Sequence, residues 1–193
     1  MILQLTPQAM PAGYGEGLLP LAACKAHLGF IDADVTEFDG LIAALRDAAV
    51  DAVERYTNLF LAPRVGVVAK FSCFGGTMRL GRGPDATVIV TAVAYPGPDG
   101  VPIEMAEGSW RVLAGGKLSP AIGAVWPVSY GDVTVTFDAG FADSACPPGL
   151  LTAAKMFLAH LYANREAVVS SGVTAELPLG FRMLCDQHRM PVL

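Results

Sequence analysis

Two kinds of periodicity divide this chain, and they limit the folds open to it. Apolar residues recur at spacings of three and four from Phe38 through Leu41, Ile42, Leu45, Ala48, Ala49, Ala52 and Val53 to Tyr56. That spacing draws one stripe along an α-helix. Leu150, Leu151, Ala154, Phe157, Leu158 and Leu161 repeat the pattern nearer the other end. Between these segments, from about residue 64 to 140, the period drops to two. Val133, Val135 and Phe137 alternate with Thr134, Thr136 and Asp138, and Val88, Val90 and Ala92 alternate with Ile89, Thr91 and Val93, as strands do. A β block therefore interrupts a helical one. The expected fold is α+β, a small bundle of about four helices with an inserted antiparallel β meander or barrel-like sheet.

Proline and glycine set the boundaries. Pro7, Pro11, Gly13, Gly15 and Gly17 argue against a stable helix in residues 1–19, which read as an N-terminal arm or edge segment. Pro20 and Gly29 bracket a short helix, Pro20 to Leu28, since proline suits a first helical position and glycine a cap. Asp34 and Glu37 have the spacing of an N-cap pair opening a helix to Asn58, with Asp51 and Arg55 as an i,i+4 pair on its outer side. Tyr95-Pro96-Gly97-Pro98-Asp99-Gly100 is a turn, followed by strands at Val101–Ala106 and Trp110–Leu113. Pro147 and Pro148 open a third helix that frays after Ala167. Ser170-Ser171-Gly172 is a loop, and a last helix covers Leu179–His188. The chain is expected to be a single domain: arm 1–19, helices 20–62, β insertion 63–140, helices 147–188 and tail 189–193.

Composition narrows the function. Hydrophobic residues make up 53% of the 193 residues, mean hydropathy is +0.46 and only 16% are charged. Such a chain must bury apolar surface in a membrane, a full core or a subunit interface. Gly149–Tyr162 is too short to span a bilayer, which takes roughly 20 residues, and it carries Lys155 and His160. Leu18–Ile31 carries Lys25 and His27. No Lys or Arg precedes Lys25, so the basic start of a signal peptide is missing. Synthesis in the cytosol and a subunit interface are the expectation. Cys24, Cys73, Cys146 and Cys185 are widely spaced and read as reduced thiols. The net charge of −5, with 13 scattered Lys and Arg, lacks the clustered cations that grip nucleic acid.

A search for chemistry finds little. There is no G-x-S-x-G elbow, H-E-x-x-H or P-loop, and Gly81-Arg82-Gly83 lacks a third glycine and is followed by Pro84, so it reads as a turn. His27, His160 and His188 have no second ligand at i+3 or i+4. Counting from Asp32, loop positions six and twelve are Glu37 and Ala43, not the Gly and Glu of a calcium loop. Asp32, Asp34, Glu37 and Asp39 suit the positive end of a helix instead. Trp110 and Trp126 read as core or contact residues. No catalytic residue, metal site or cofactor is expected.

Two blocks of residues resemble one family. The first is Leu21-Ala22-Ala23-Cys24-Lys25-Ala26-His27-Leu28, then a long helix containing Leu41-Ile42-Ala43-Ala44-Leu45 and ending Val53-Glu54-Arg55-Tyr56-Thr57-Asn58. The second is Val133-Thr134-Val135-Thr136-Phe137-Asp138-Ala139-Gly140-Phe141, then Pro147-Pro148-Gly149-Leu150 and Leu158-Ala159-His160-Leu161-Tyr162-Ala163-Asn164-Arg165-Glu166-Ala167. Together, over residues 21–58 and 133–168, they resemble the phage head–tail connector, or head–tail adaptor, family, in the form carried by gene transfer agents and prophages. Cys24 stands where the family more often has Glu or Ala, and the stretch after Pro63 is poorer in aromatics.

The resemblance implies a structural protein without catalysis. Members form rings, commonly dodecamers, beneath a portal protein, join it to a stopper or tail-terminator protein, and pass double-stranded DNA through the bore. The place implied is the neck of a virion or gene transfer agent particle, made and assembled in the bacterial cytoplasm. A closed ring needs a head-to-tail interface, which would accommodate the excess apolar surface. A bore that is neutral to acidic would confine DNA without braking it. By the same resemblance the C-terminal segment, Arg182, Met183, Leu184, Arg189, Met190, Pro191, Val192 and Leu193, reaches toward the portal. Three other readings compete. A stopper or tail terminator would be β-dominated, against the long helices here. An enzyme using Asp32, Asp138 or Asp143 with a histidine has no supporting spacing. A membrane-associated or chaperone-like helical protein rests on hydropathy alone.

Overall fold

The strict alternation at Val133–Ala139 suits the middle of a sheet, with one face buried and one facing out. A computed structural model describes residues 2–6, 10–30, 35–83, 87–143, 145–164 and 179–190. In chain order the elements are β1 (Ile2–Leu5), α1 (Tyr14–Leu18), α2 (Leu21–His27), α3 (Asp39–Thr57), β2 (Arg64–Phe71), β3 (Met78–Arg79), β4 (Ile89–Pro96), β5 (Pro102–Glu104), β6 (Trp110–Leu113), β7 (Lys117–Pro120), β8 (Val133–Ala139), α4 (Pro148–Ala163) and α5 (Leu179–Asp186). The fold is α+β, as expected. The strands gather in one compact unit and the helices in another. The described strands form open antiparallel sheets and do not close into a barrel.

In the β unit the order is β1-β2-β8-β4-β5, so β8 is central although it comes last in sequence. Val133, Val135 and Phe137 are fully buried while the residues between them are half-buried. Their partners continue the same apolar face: Phe71 lies opposite Val133, Ala69 opposite Val135 and Val67 opposite Phe137. The register fixes this face, because a slip of one residue would turn every side chain outward. The edge-strand reading of the N-terminus agrees with β1, which pairs antiparallel with β2. A second sheet, β3-β7-β6, buries Met78 against Leu118 across its register. Its β6–β7 hairpin turns through Gly115 and Gly116, both at positive φ, where glycine carries no steric penalty.

The Ala139-Gly140 corner has a separate reason. Gly140 has φ +117, and a Cβ there would collide with the Ala62 carbonyl oxygen. A Cβ on Gly83 would in turn lie 2.6 Å from the Gly140 nitrogen. Three backbone segments meet here with no room for a side chain.

The helical unit is built on α3. Ile42, Ala49, Val50 and Val53 of α3, Leu150, Ala153, Ala154 and Leu158 of α4, and Phe181 and Cys185 of α5 are buried. Helix α2 follows Pro20 and precedes Gly29 at φ +84, as the flanking residues predict. Two expectations are corrected. Helix α3 begins at Asp39 and has no side-chain cap; its first turn opens from a Thr36–Asp39 backbone hydrogen bond, so Glu37 lies before the helix, and Asp34 lies outside the described residues. The glycine-rich stretch before Pro20 contains α1, because Gly15 sits against the Asp47 carboxylate, where a Cβ would not fit; tertiary packing overrides poor propensity. Asp51 and Arg55 form their i,i+4 pair at 2.6 Å. No helix among the described residues is long and apolar enough to cross a membrane.

Gly140→Ala is expected to lower the unfolding free energy by more than about 1 kcal/mol, since it adds both strain and collision. Gly76→Ala, where a Cβ meets nothing within 4 Å, should stay within about 0.5 kcal/mol of the parent. Urea unfolding followed by circular dichroism measures both.

Candidate functional site

The last turn of α3, Val53 to Asn58, is where the helical unit is tied together. Glu54 is only 3% exposed. Its carboxylate accepts hydrogen bonds from the Tyr14 hydroxyl and, at 2.8 Å, from the Leu61 backbone N–H. It thus fixes the segment entering the unit and the segment leaving α3. Tyr56 points the other way: its hydroxyl donates to Asp186 at 2.9 Å, and its ring meets Phe181 edge-on with centroids 5.5 Å apart. The hydrogen bond to Asp186 raises the Tyr56 phenol pKa above its ordinary value. The Thr57 carbonyl accepts from Met190 N–H at 2.8 Å. Asn58 ends the helix at φ 59, the left-handed position that Gly or Asn favours, and its side chain donates to the Met190 carbonyl at 3.1 Å.

The start of the unit is held by buried cations. Lys25, 6% exposed, donates to the Val35 carbonyl at 2.5 Å and to Asp39 at 2.9 Å. Arg46, also 6% exposed, donates to Glu16 and to Asp47 at 2.9 Å. Burial works against the Arg46 cation, but the hydrogen bonds and charges of Asp47 and Glu16 outweigh it and raise its pKa. The sequence reading missed Lys25, Arg46 and Glu54 as buried residues. The one available signal was Ile42-Arg46-Val50-Glu54, two charges at the i,i+4 spacing of a core stripe.

The expected portal-contact residues divide. Phe181 and Cys185 anchor α5, while Arg182 and Met183 point outward, Met183 being 61% exposed. Leu184 is half-buried. The Arg189 guanidinium lies 5.1 Å from the centre of the Tyr56 ring, and Met190 is tied to Thr57 and Asn58. Pro191, Val192 and Leu193 lie outside the described residues.

Other chemistry does not converge. Among the described residues no three of His, Cys, Asp and Glu are placed to hold a metal ion. Asp138 accepts from Gly66 N–H at 2.8 Å, which serves the bulge in β2, and Asp32 lies outside the described residues. His160 stacks on Phe157 at 6.1 Å. Burial pushes the Cys146 thiol up to about 12, helped by the nearby Glu54 charge. It pushes Cys185 up to about 11, helped by Asp186, and raises Cys24 as well. Such thiols carry almost no thiolate at neutral pH and are poor nucleophiles. The best-tied feature among the described residues is therefore the last turn of α3, with α5 and Met190 fastened to it.

No family model and no curated protein sequence matches the chain, but solved structures do. A chain in the neck of an empty gene transfer agent (GTA) particle, computed with C6 symmetry, is 27% identical, with a TM-score of 0.71 over 99% of this chain and 98% of that one. A chain in the virion of a native GTA particle is 29% identical, with a TM-score of 0.71 and the same coverage. A third, in the neck of a native GTA particle computed with C12 symmetry, is 28% identical, with a TM-score of 0.67 and the same coverage. The likeness to chains of gene transfer agent particles thus extends over the whole chain.

Glu54→Ala removes the acceptor of the Tyr14 and Leu61 hydrogen bonds and should cost about 2–4 kcal/mol of stability, read from urea unfolding. In the native protein at pH 7, a maleimide reagent should label Cys73, the exposed thiol, well before Cys24, Cys146 and Cys185. Denaturant should release all four.

Proposed function

We propose that this protein is a ring-forming head–tail connector in the neck of a gene transfer agent or related phage-like particle. The observation that carries the proposal is the full-length likeness to chains of GTA particles, 27–29% identical over 98–99% of both partners. The sixfold and twelvefold symmetry of the neck structures supports a ring here, with a dodecamer as the simplest form. A ring also gives a home to the excess apolar surface behind a mean hydropathy of +0.46.

In this reading the ring sits below a portal protein and above a stopper or tail-terminator protein, and double-stranded DNA passes through the bore. The net charge of −5 suits a conduit that does not hold phosphate. The role is structural, without catalysis, and assembly takes place in the bacterial cytoplasm. The chain works as one connector domain: the helical unit is drawn from 10–61 and 145–190, on both sides of the β block, so neither unit is a separable stretch of chain. The portal contact is the outer face of α5, with Arg182 and Met183, extended by Arg189 and the residues after it. Pinning Arg189 and Met190 to α3 presents this face already ordered, which limits the entropy lost on docking.

The test is co-purification with the portal protein. Deleting residues 191–193, or combining Arg182→Glu with Met183→Asp, should reduce portal-bound protein at least tenfold while leaving the helical circular dichroism signal intact. Unchanged attachment in both variants would remove α5 and the tail from the contact.

A further inference from the structure

The segment Ala121–Tyr130 contains no charged residue and holds its apolar side chains in solvent. Ile122 is 86% exposed, Val125 87%, Val128 73% and Tyr130 62%. It is nevertheless a fixed ridge. Ala121 N–H donates to Ser109 at 3.0 Å and Tyr130 N–H to Pro96 at 3.2 Å. Between them Trp126 stacks on Phe74 with ring centroids 4.8 Å apart, and Phe74 meets Tyr95 edge-on. The ridge lies at the Pro96 end of β4, beside exposed Ile103, whose neighbour Pro102 pairs with Pro96.

A second, smaller apolar patch lies at the other end of the same sheet. Ile89, 59% exposed, begins β4 opposite Asp138. Val65, 76% exposed, sits in the β2 bulge next to Gly66, which is bonded to the same Asp138. Strand β4 separates the patches by seven residue steps, roughly 23 Å.

The charges around the patches are of opposite sign. Asp99, in the turn after Pro96, Glu104 on β5, Glu107 before β6 and Asp132 just before β8 flank the ridge, with Lys70 and Arg111 as cations at that end. Arg79, Arg82 and Lys117 lie toward the smaller patch, where Gly81 and Gly116 close on Val88, and Asp138 is the acid there. Two unlike patches with complementary rims, at opposite ends of one compact unit, are what a repeating head-to-tail contact requires. A contact through a two-fold axis would instead use one self-complementary patch.

We propose that the 122–130 ridge of one copy of this chain packs against the Val65/Ile89 patch of the next copy, forming the subunit contact of the ring. The inference rests on the ring reading above and adds which surfaces close it. The apolar centre supplies the binding energy, and the charged rims set direction and register.

Cross-linking in assembled particles tests it. The full chain is made with Val125→Cys and Ile89→Cys together in a Cys73→Ser, Cys146→Ser background, and purified particles are treated with a short bismaleimide. A ladder of multimers on a denaturing gel is expected from the double variant, and none from either single cysteine. Val125→Asp, at an exposed position that folding does not need, should lower incorporation into particles at least tenfold with an unchanged unfolding midpoint. Imaging of the same particles separates the failures. If the protein occupies the neck ring yet gives no ladder, or links through a single cysteine to another copy or another neck protein, the assigned surfaces are wrong and the ring stands. If the unsubstituted protein is absent from the neck, both readings fall.

Discussion

A carboxylate in an apolar core must be satisfied, and Glu54 is satisfied by groups from two separate parts of the chain. Removing one partner from a buried charged group costs several kcal/mol, so the Tyr14 hydroxyl and the Leu61 N–H are held where α3 needs them. The next residues extend the logic. Tyr56 takes α5 through Phe181 and Asp186, and Thr57 and Asn58 take the backbone of Met190. One helical turn therefore sets where the helical unit begins, where it hands over to the β block, and where its last helix lies. This gives a physical content to the Val53-Glu54-Arg55-Tyr56-Thr57-Asn58 motif: four of its six positions each fasten a different group, and Val53 fills the core.

The β unit follows a different rule. It rests on register, with the apolar face of β8 matched residue by residue to β2. Its second motif, ending Ala139-Gly140-Phe141, is explained by backbone crowding around Gly140. Both motifs that carry the likeness to connector proteins are thus positions where the fold leaves few alternatives. Function, on this account, comes from what such a scaffold displays: an ordered α5 face on the helical unit, and apolar patches on the β unit that a monomer has no reason to expose.

Much of this was legible in the residues. The period of two at Val133–Phe137 appears directly as alternating burial, because half-buried strands leave no other pattern. The starts of α2 and α4 follow their prolines, and α2 ends before Gly29. The stripe on α3 was less legible. Leu41 is exposed, while Arg46 and Glu54 are buried, because their partners Glu16 and Tyr14 are 30 and 40 residues away and periodicity treats any charge as outward. The central position of β8 was hidden for a similar reason, since strand order depends on pairings between distant segments. The short strands β3 and β7, of two and four residues, give too little pattern to read. The resemblance suggested the segment of the portal contacts, and only the fold shows that Arg182 and Met183 within it face outward while their neighbours Phe181 and Cys185 anchor α5.

The measurement that bears most directly on the central claim is a cryo-electron microscopy reconstruction of particles carrying this protein, with the portal's symmetry applied to the neck. The account predicts a closed ring of this chain directly beneath the portal, with the outer face of α5 against portal subunits and an open bore on the axis. Intact, tailed particles whose neck density cannot be fitted by this chain would contradict it.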